Sequence, residues 1–158
     1  MGSRATSPTR WLDEREQGAW LGLQAMSDRL AGALGQELQR DAGVSWADYA
    51  VLVALTATRV DRLRVHELAD ELGWEKSRLS HHLTRMARRG LVVREACGTD
   101  GRGAFVVVTA TGRAAVRRAA PAHVAAVREL FIDALSPEQL DVLGDIGTAV
   151  LARLAERR

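Results

Sequence analysis

Apolar positions recur at three- and four-residue steps along most of this chain, and the places where that rhythm stops mark the elements. Between residues 11 and 40, Trp20, Leu23, Ser27, Leu30, Leu34 and Leu38 make one stripe, as a long amphipathic helix does. A second helix opens at Ser-Trp-Ala-Asp and runs to about Thr58, with Ser45 as its cap and Asp48 in a capping-box position. Val65, Leu68, Ala69 and Leu72 share one face of a short third helix that Gly73 stops. The stretch WEKSRLSHHLTRMARRG, residues 74–90, is the fourth. At about 100° per residue, Leu79, Leu83 and Met86 gather on one side of it. Ser77, His81, Thr84, Arg85 and Arg88 lie opposite with Arg78 beside them, and His82, Arg89, Ser80 and Lys76 flank.

After Gly90 the pattern changes to β-branched runs. LVVREA and AFVVVT are separated by CGTDGRG, which reads as a two-stranded hairpin with a glycine-rich tip. A long helix follows from about Thr111, and Pro121 inside it is expected to kink or divide it. Ser136 caps the last helix, with Pro137 in its first position and Gln139 completing a capping box. The expected fold is mainly α with a small β-hairpin: a winged helix-turn-helix with N- and C-terminal dimerisation helices. The boundaries read as a flexible lead over 1–10, dimerisation helices over 11–44 and 111–158, and a DNA-binding unit over 45–110.

Composition narrows the class. The chain has 158 residues, is 47% hydrophobic and 27% charged, and holds a single cysteine, so no intrachain disulfide forms. That usage, the start MGSRATSPTRW without an apolar signal core, and the lack of an apolar run of about 20 residues predict a cytoplasmic protein with no membrane contact. The net charge is only +2, yet residues 76–102 carry seven basic side chains and two acidic ones. The basic set is Lys76, Arg78, Arg85, Arg88, Arg89, Arg94 and Arg102, and it includes the only lysine of the chain. Positive charge gathered on one short helix points to a polyanion docking there.

Two short helices joined by a glycine turn and followed by a hairpin make a winged helix-turn-helix, whose second helix fits the major groove of B-DNA. Its outward N-terminal residues meet base edges; here they are Ser77, Arg78 and His81, with Arg85 further along and Lys76 beside them. Arginine makes bidentate contacts to guanine. Arg88 and Arg89, near the far end, suit phosphates, which supply affinity and salt dependence.

With these residues in view the chain resembles the MarR family of bacterial transcriptional regulators, over nearly its whole length. ELADELGWEKSRLSHHLTRMARRGLVVRE and DGRGAFVVVTATG carry the resemblance, and Asp100-Gly101-Arg102 before a strand and the turn Thr109 to Gly112 is its most specific element. The resemblance implies that Arg102 enters the minor groove while Asp100 helps to hold the wing. It implies a homodimer on a pseudo-palindromic operator, and repression relieved by a small aromatic effector. Where the family commonly opens the recognition helix with serine or threonine, this chain has Glu75, a poorer cap.

Other features point elsewhere only weakly. His66, His81, His82, His123 and Cys97 show no metal-ligand spacing, and adjacent histidines on a helix diverge by about 100°. No metal or cofactor is expected. Cys97 reads as an incidental thiol at the wing rather than a redox sensor. Trp20 and Trp46 lie on apolar faces of helices that, by resemblance, line an effector cavity. No phosphate loop, nucleophile elbow or paired-carboxylate motif supports an enzyme. The competing reading is a winged-helix module for protein–protein contact without ligand sensing.

Overall fold

The computed structural model of the chain describes residues 9–96 and 104–157. In chain order these form α1 (Glu14–Ala42), α2 (Trp46–Thr56), β1 (Arg62–Arg64), α3 (Val65–Leu72), α4 (Lys76–Arg88), β2 (Val92–Ala96), β3 (Ala104–Val108), α5 (Ala110–Leu130), a 3-10 turn (Ile132–Ala134) and α6 (Pro137–Ala155). The result is a mainly helical winged helix-turn-helix with a small antiparallel sheet.

Local chemistry sets most of the ends. Asp13 caps α1: Glu16 N donates to its Oδ1 at 2.8 Å, and Asp13 N donates to Glu16 Oε2 at 3.0 Å. The helix therefore starts at Glu14 rather than at residue 11, where apolar spacing alone would begin it. Gly43, at φ 66°, closes it in the left-handed conformation that glycine adopts without strain. The reciprocal pair expected at Ser45 and Asp48 forms with both bonds at 3.0 Å, and Ser136 pairs likewise with Gln139.

Two elements differ from the pattern reading. Residues 62–64 form a strand that the apolar rhythm did not reveal, because three residues are too few to show a period and two of them are arginines. The sheet order is β1-β3-β2, with Leu63 opposite Val106 and Val93 opposite Val107. Nor does Pro121 divide α5, which runs unbroken from residue 110 to 130. Proline removes one ladder bond, and packing along α1 holds the helix on either side of that gap.

The core centres on Leu52, Leu55, Leu68, Leu79, Leu83 and Met86, closed by Val92, Val106 and Val108 from the sheet. Leu38 of α1 and Ala115 and Ala119 of α5 join it, so the inner halves of the long helices are part of the same packing unit. Thr109 locks the wing onto α5: its hydroxyl donates to Gly90 O at 2.6 Å and accepts from Gly112 N at 3.0 Å. Gly112 is required there, since a Cβ would run into the Leu91 carbonyl. α6 contributes no buried residue.

Candidate nucleic-acid interface

The surface around α4 follows from how α3 and α4 are joined. Glu67 Oε2 accepts from Arg64 N at 2.8 Å and starts α3. Gly73, at φ 64°, ends it, and Trp74 N returns to Ala69 O at 2.9 Å. Glu75 then occupies the cap position of α4 with extended backbone and no side-chain capping bond, as its residue type led us to expect. The turn sets α4 with Leu79, Leu83 and Met86 fully buried against the core.

Lys76, Ser77, Arg78, His81, Arg85 and Arg88 are all exposed on α4. The fold thus brings together on one helix surface the six candidate contacts read from this segment. Two of them are tethered from behind. The Arg78 guanidinium lies 4.7 Å over the Trp74 ring, and Arg85 Nη2 lies 3.0 Å from His82 Nδ1. Arg94 of β2 donates to Ser80 O at 3.0 Å, which pins the strand to the helix. Asp100 and Arg102, and Cys97 with them, lie outside the described residues.

Arg89 is exposed as well but is tied from behind: its Nη1 donates to Asp48 Oδ2 at 2.6 Å and its Nη2 to Gly43 O at 2.6 Å, which links α4 to α2 and to the end of α1. A carboxylate buried at 2% exposure needs a cationic partner, and Arg89 is the one within reach of Asp48. Burial alone would push the Asp48 carboxyl up. The Ser45 backbone N–H and Arg89 outweigh it and hold it below its ordinary value.

His82 belongs to the same cluster. Sequence placed it at a half-buried flank; it is more buried than that, only 7% exposed, with Nε2 3.1 Å from Asp48 Oδ1 and the ring edge-on to Trp74 at 5.6 Å. The Nε2 contact is close but not aligned as a hydrogen bond. Burial lowers the His82 pKa; Asp48 opposes this, and Arg85 and Arg78 add to it. A signal did exist, since His82 stands within about 60° of both Leu79 and Met86 on the helical wheel.

Trp46 lines a cavity of about 200 Å³ with Tyr49, Ala50, Val53 and His123. The His123 ring is 4.7 Å from Tyr49 and 5.8 Å from Trp46, and its buried Nδ1 has no hydrogen-bond partner. Burial lowers its pKa, against a weaker opposing pull from Glu37. Trp20 is not among the residues lining this cavity and lies exposed on the outer half of α1. Tyr49 and His123 escaped the sequence reading because they come together only when α5 packs beside α2. No helix among the described residues is long and apolar enough to cross a membrane.

Comparison with known proteins matches this geometry. The model of the MarR family matches residues 42–103, from the last residue of α1 to the position before β3. AbsC, a MarR family transcriptional regulator from Streptomyces coelicolor, is 41% identical, with a TM-score of 0.86 over 94% of this chain and 99% of its own. Sco3205, a MarR family regulator from the same organism solved in complex with DNA, is 40% identical, with a TM-score of 0.86 over 92% of this chain and 91% of its own. The organohalide-sensing regulator RdhR, in its 2,4-dichlorophenol bound form, shares the fold at a TM-score of 0.80 and 16% identity, over 97% of this chain and 89% of its own. No curated protein sequence matches. With a basic helix exposed beside a winged sheet, and with two relatives about 40% identical along almost their whole length, the chain belongs to the MarR family, DNA-binding transcriptional regulators rather than enzymes.

Proposed function

We propose that this regulator is a homodimeric, ligand-responsive repressor that binds a pseudo-palindromic operator. The observation that carries the reading is a pair of exposed surfaces on one chain: a basic helix face and an unpartnered apolar one. On α4, Ser77, Arg78, His81 and Arg85 take the base edges, and Lys76 and Arg88 the phosphates. Arg102 takes the minor groove, with Asp100 ordering the wing around it. The helices over 11–44 and 111–158 serve as the dimerisation region. Trp20, Leu21, Leu23 and Met26 of α1 and Val142, Ile146, Val150 and Leu151 of α6 are all exposed. Large apolar side chains left exposed in such number on two helices mark an interface. A second copy would set the two recognition helices about 34 Å apart, one turn of DNA.

The effector reading rests on the Trp46–Tyr49–His123 cavity, whose aromatic walls suit a flat ligand. A neighbour of the same fold holds 2,4-dichlorophenol. A ligand there releases DNA only if it favours the arrangement of wings that cannot dock.

Light scattering at micromolar concentration should report a dimer. Titration of duplex DNA at several salt concentrations should show affinity falling steeply with salt, and Arg78→Ala should cost about 1–3 kcal/mol on the preferred duplex while relaxing one base position. A monomer that binds a half-site with full affinity would sink the dimer. Aromatic acids that quench Trp46 fluorescence should weaken DNA binding reciprocally, and tight binders without that effect would remove the sensor role.

A further inference from the structure

We propose that His82 is a positioning residue for base readout: from inside the recognition helix, its neutral imidazole aims the Arg85 guanidinium at the DNA. The inference rests on the reading of Arg85 as a base contact. Arg85 is always protonated and donates only, so at 3.0 Å His82 Nδ1 must be the acceptor. That leaves the ring proton on Nε2, the nitrogen that faces the buried Asp48 carboxylate at 3.1 Å. Asp48 is itself held in place by the Ser45 N–H and by Arg89, and Trp74 packs edge-on against the imidazole. Asp48 on α2 and Trp74 on the turn thus hold the orientation of the ring, and the Arg85 contact at Nδ1 selects its tautomer.

The consequence concerns the outer side of the helix. A surface arginine carries much rotamer entropy, part of which is lost on docking. One bond to a buried, rigid acceptor restricts that freedom beforehand. It uses one of the five guanidinium N–H donors and leaves four for a base edge. Because the acceptor is neutral, Arg85 keeps its full charge toward DNA. The device therefore acts on readout more than on bulk attraction.

The test uses full-length protein and the tightest duplex it selects from a random library, with random duplex as reference. Arg85→Ala should lower the ratio of selected to random affinity by about tenfold or more, the weight of one bidentate contact. His82→Leu, which keeps the apolar bulk, should lower the same ratio by a similar factor while leaving random-duplex affinity within about twofold, since Arg85 still carries its charge. The double variant should be no worse than Arg85→Ala, because His82 acts through it. Loss of the ratio in Arg85→Ala but not in His82→Leu overturns the positioning role and leaves the base contact standing. No loss in Arg85→Ala overturns both. Equal losses on selected and random duplex, or additive losses in the double variant, mean that His82 only supports the fold. Should His82→Leu fail to fold, imidazole nitrogen NMR of the unmodified protein decides: an Nε2–H tautomer near neutral pH is expected, and an Nδ1–H tautomer or an imidazolium overturns the proposal.

Discussion

The winged unit and the outer helices handle apolar side chains in opposite ways. In the winged unit Leu52, Leu55, Leu68, Leu79, Leu83 and Met86 are completely buried, and even a charged residue, Asp48, is drawn inside with its partners. α6 is as apolar along its length, yet none of its residues is buried, and Leu151 is 67% exposed. Amphipathic spacing is present in both regions. What differs is whether the same chain supplies a second surface to cover the stripe. Around α4 it does, with contributions from two other helices and a sheet. For α6 and the outer half of α1 it does not, and the proposed second copy is the natural cover.

The largest effects should therefore come from truncation in the covered region. Leu83→Ala should destabilise the fold by about 2–5 kcal/mol, read from a urea midpoint, because it opens a cavity among residues that cannot all collapse into it. Leu151→Asp should leave that midpoint nearly unchanged when it is extrapolated to low protein concentration. It should instead shift the light-scattering mass from dimer toward monomer. An unchanged mass would remove α6 from the interface.

Next in size is the buried carboxylate. Asp48→Ala strands Arg89 and His82 and removes half of a capping box; we expect a loss of about 1–3 kcal/mol. Arg89→Ala should cost less, since water reaches that arginine, and it should leave the salt dependence of DNA binding as it was. Arg88→Ala, one residue earlier, should do the reverse: unchanged stability and a salt slope shallower by about one ion.

Acid should weaken the covered region in two stages. His82 and His123 are both held neutral by burial, so the unfolded chain takes up these protons more readily than the folded one. Stability is then complete above the unfolded histidine value of about 6.5 and declines as pH falls through it, by at most about 1.4 kcal/mol per pH unit for each histidine. Asp48, held below its ordinary value, adds a further loss once pH drops under about 3.8. Melts of the parent and of His123→Phe at stepped pH check this, and the variant should show the shallower upper stage. The smallest effect, and the sharpest for the wing, is Asp100→Ala. Electrostatics alone predicts slightly tighter DNA binding, whereas wing ordering predicts weaker binding at an unchanged salt slope.

Much of this was legible in the chain alone. Helix order, the caps at Ser45 and Ser136, the stop at Gly73 and the basic face of α4 follow from local rules that act within four or five residues, so one sequence suffices to read them. β1 was not legible, because its three residues are a strand only by pairing with β3. Neither was the continuity of α5 through Pro121, which depends on α1 lying alongside. The tie between Arg89 and Asp48 illustrates the same limit. Its neighbour Arg88 has the same side chain, and the partner of Arg89, Asp48, stands 41 residues earlier in the chain. His82 joins Asp48 to Arg85, and His123 meets Tyr49, for the same reason: these contacts cross between helices, and their partners are chosen by packing. Spacing along the chain sets which face a residue occupies. What that face meets is decided only when the helices close on one another, because burial, and with it the demand for a hydrogen-bonding or charged partner, exists only in the assembled core.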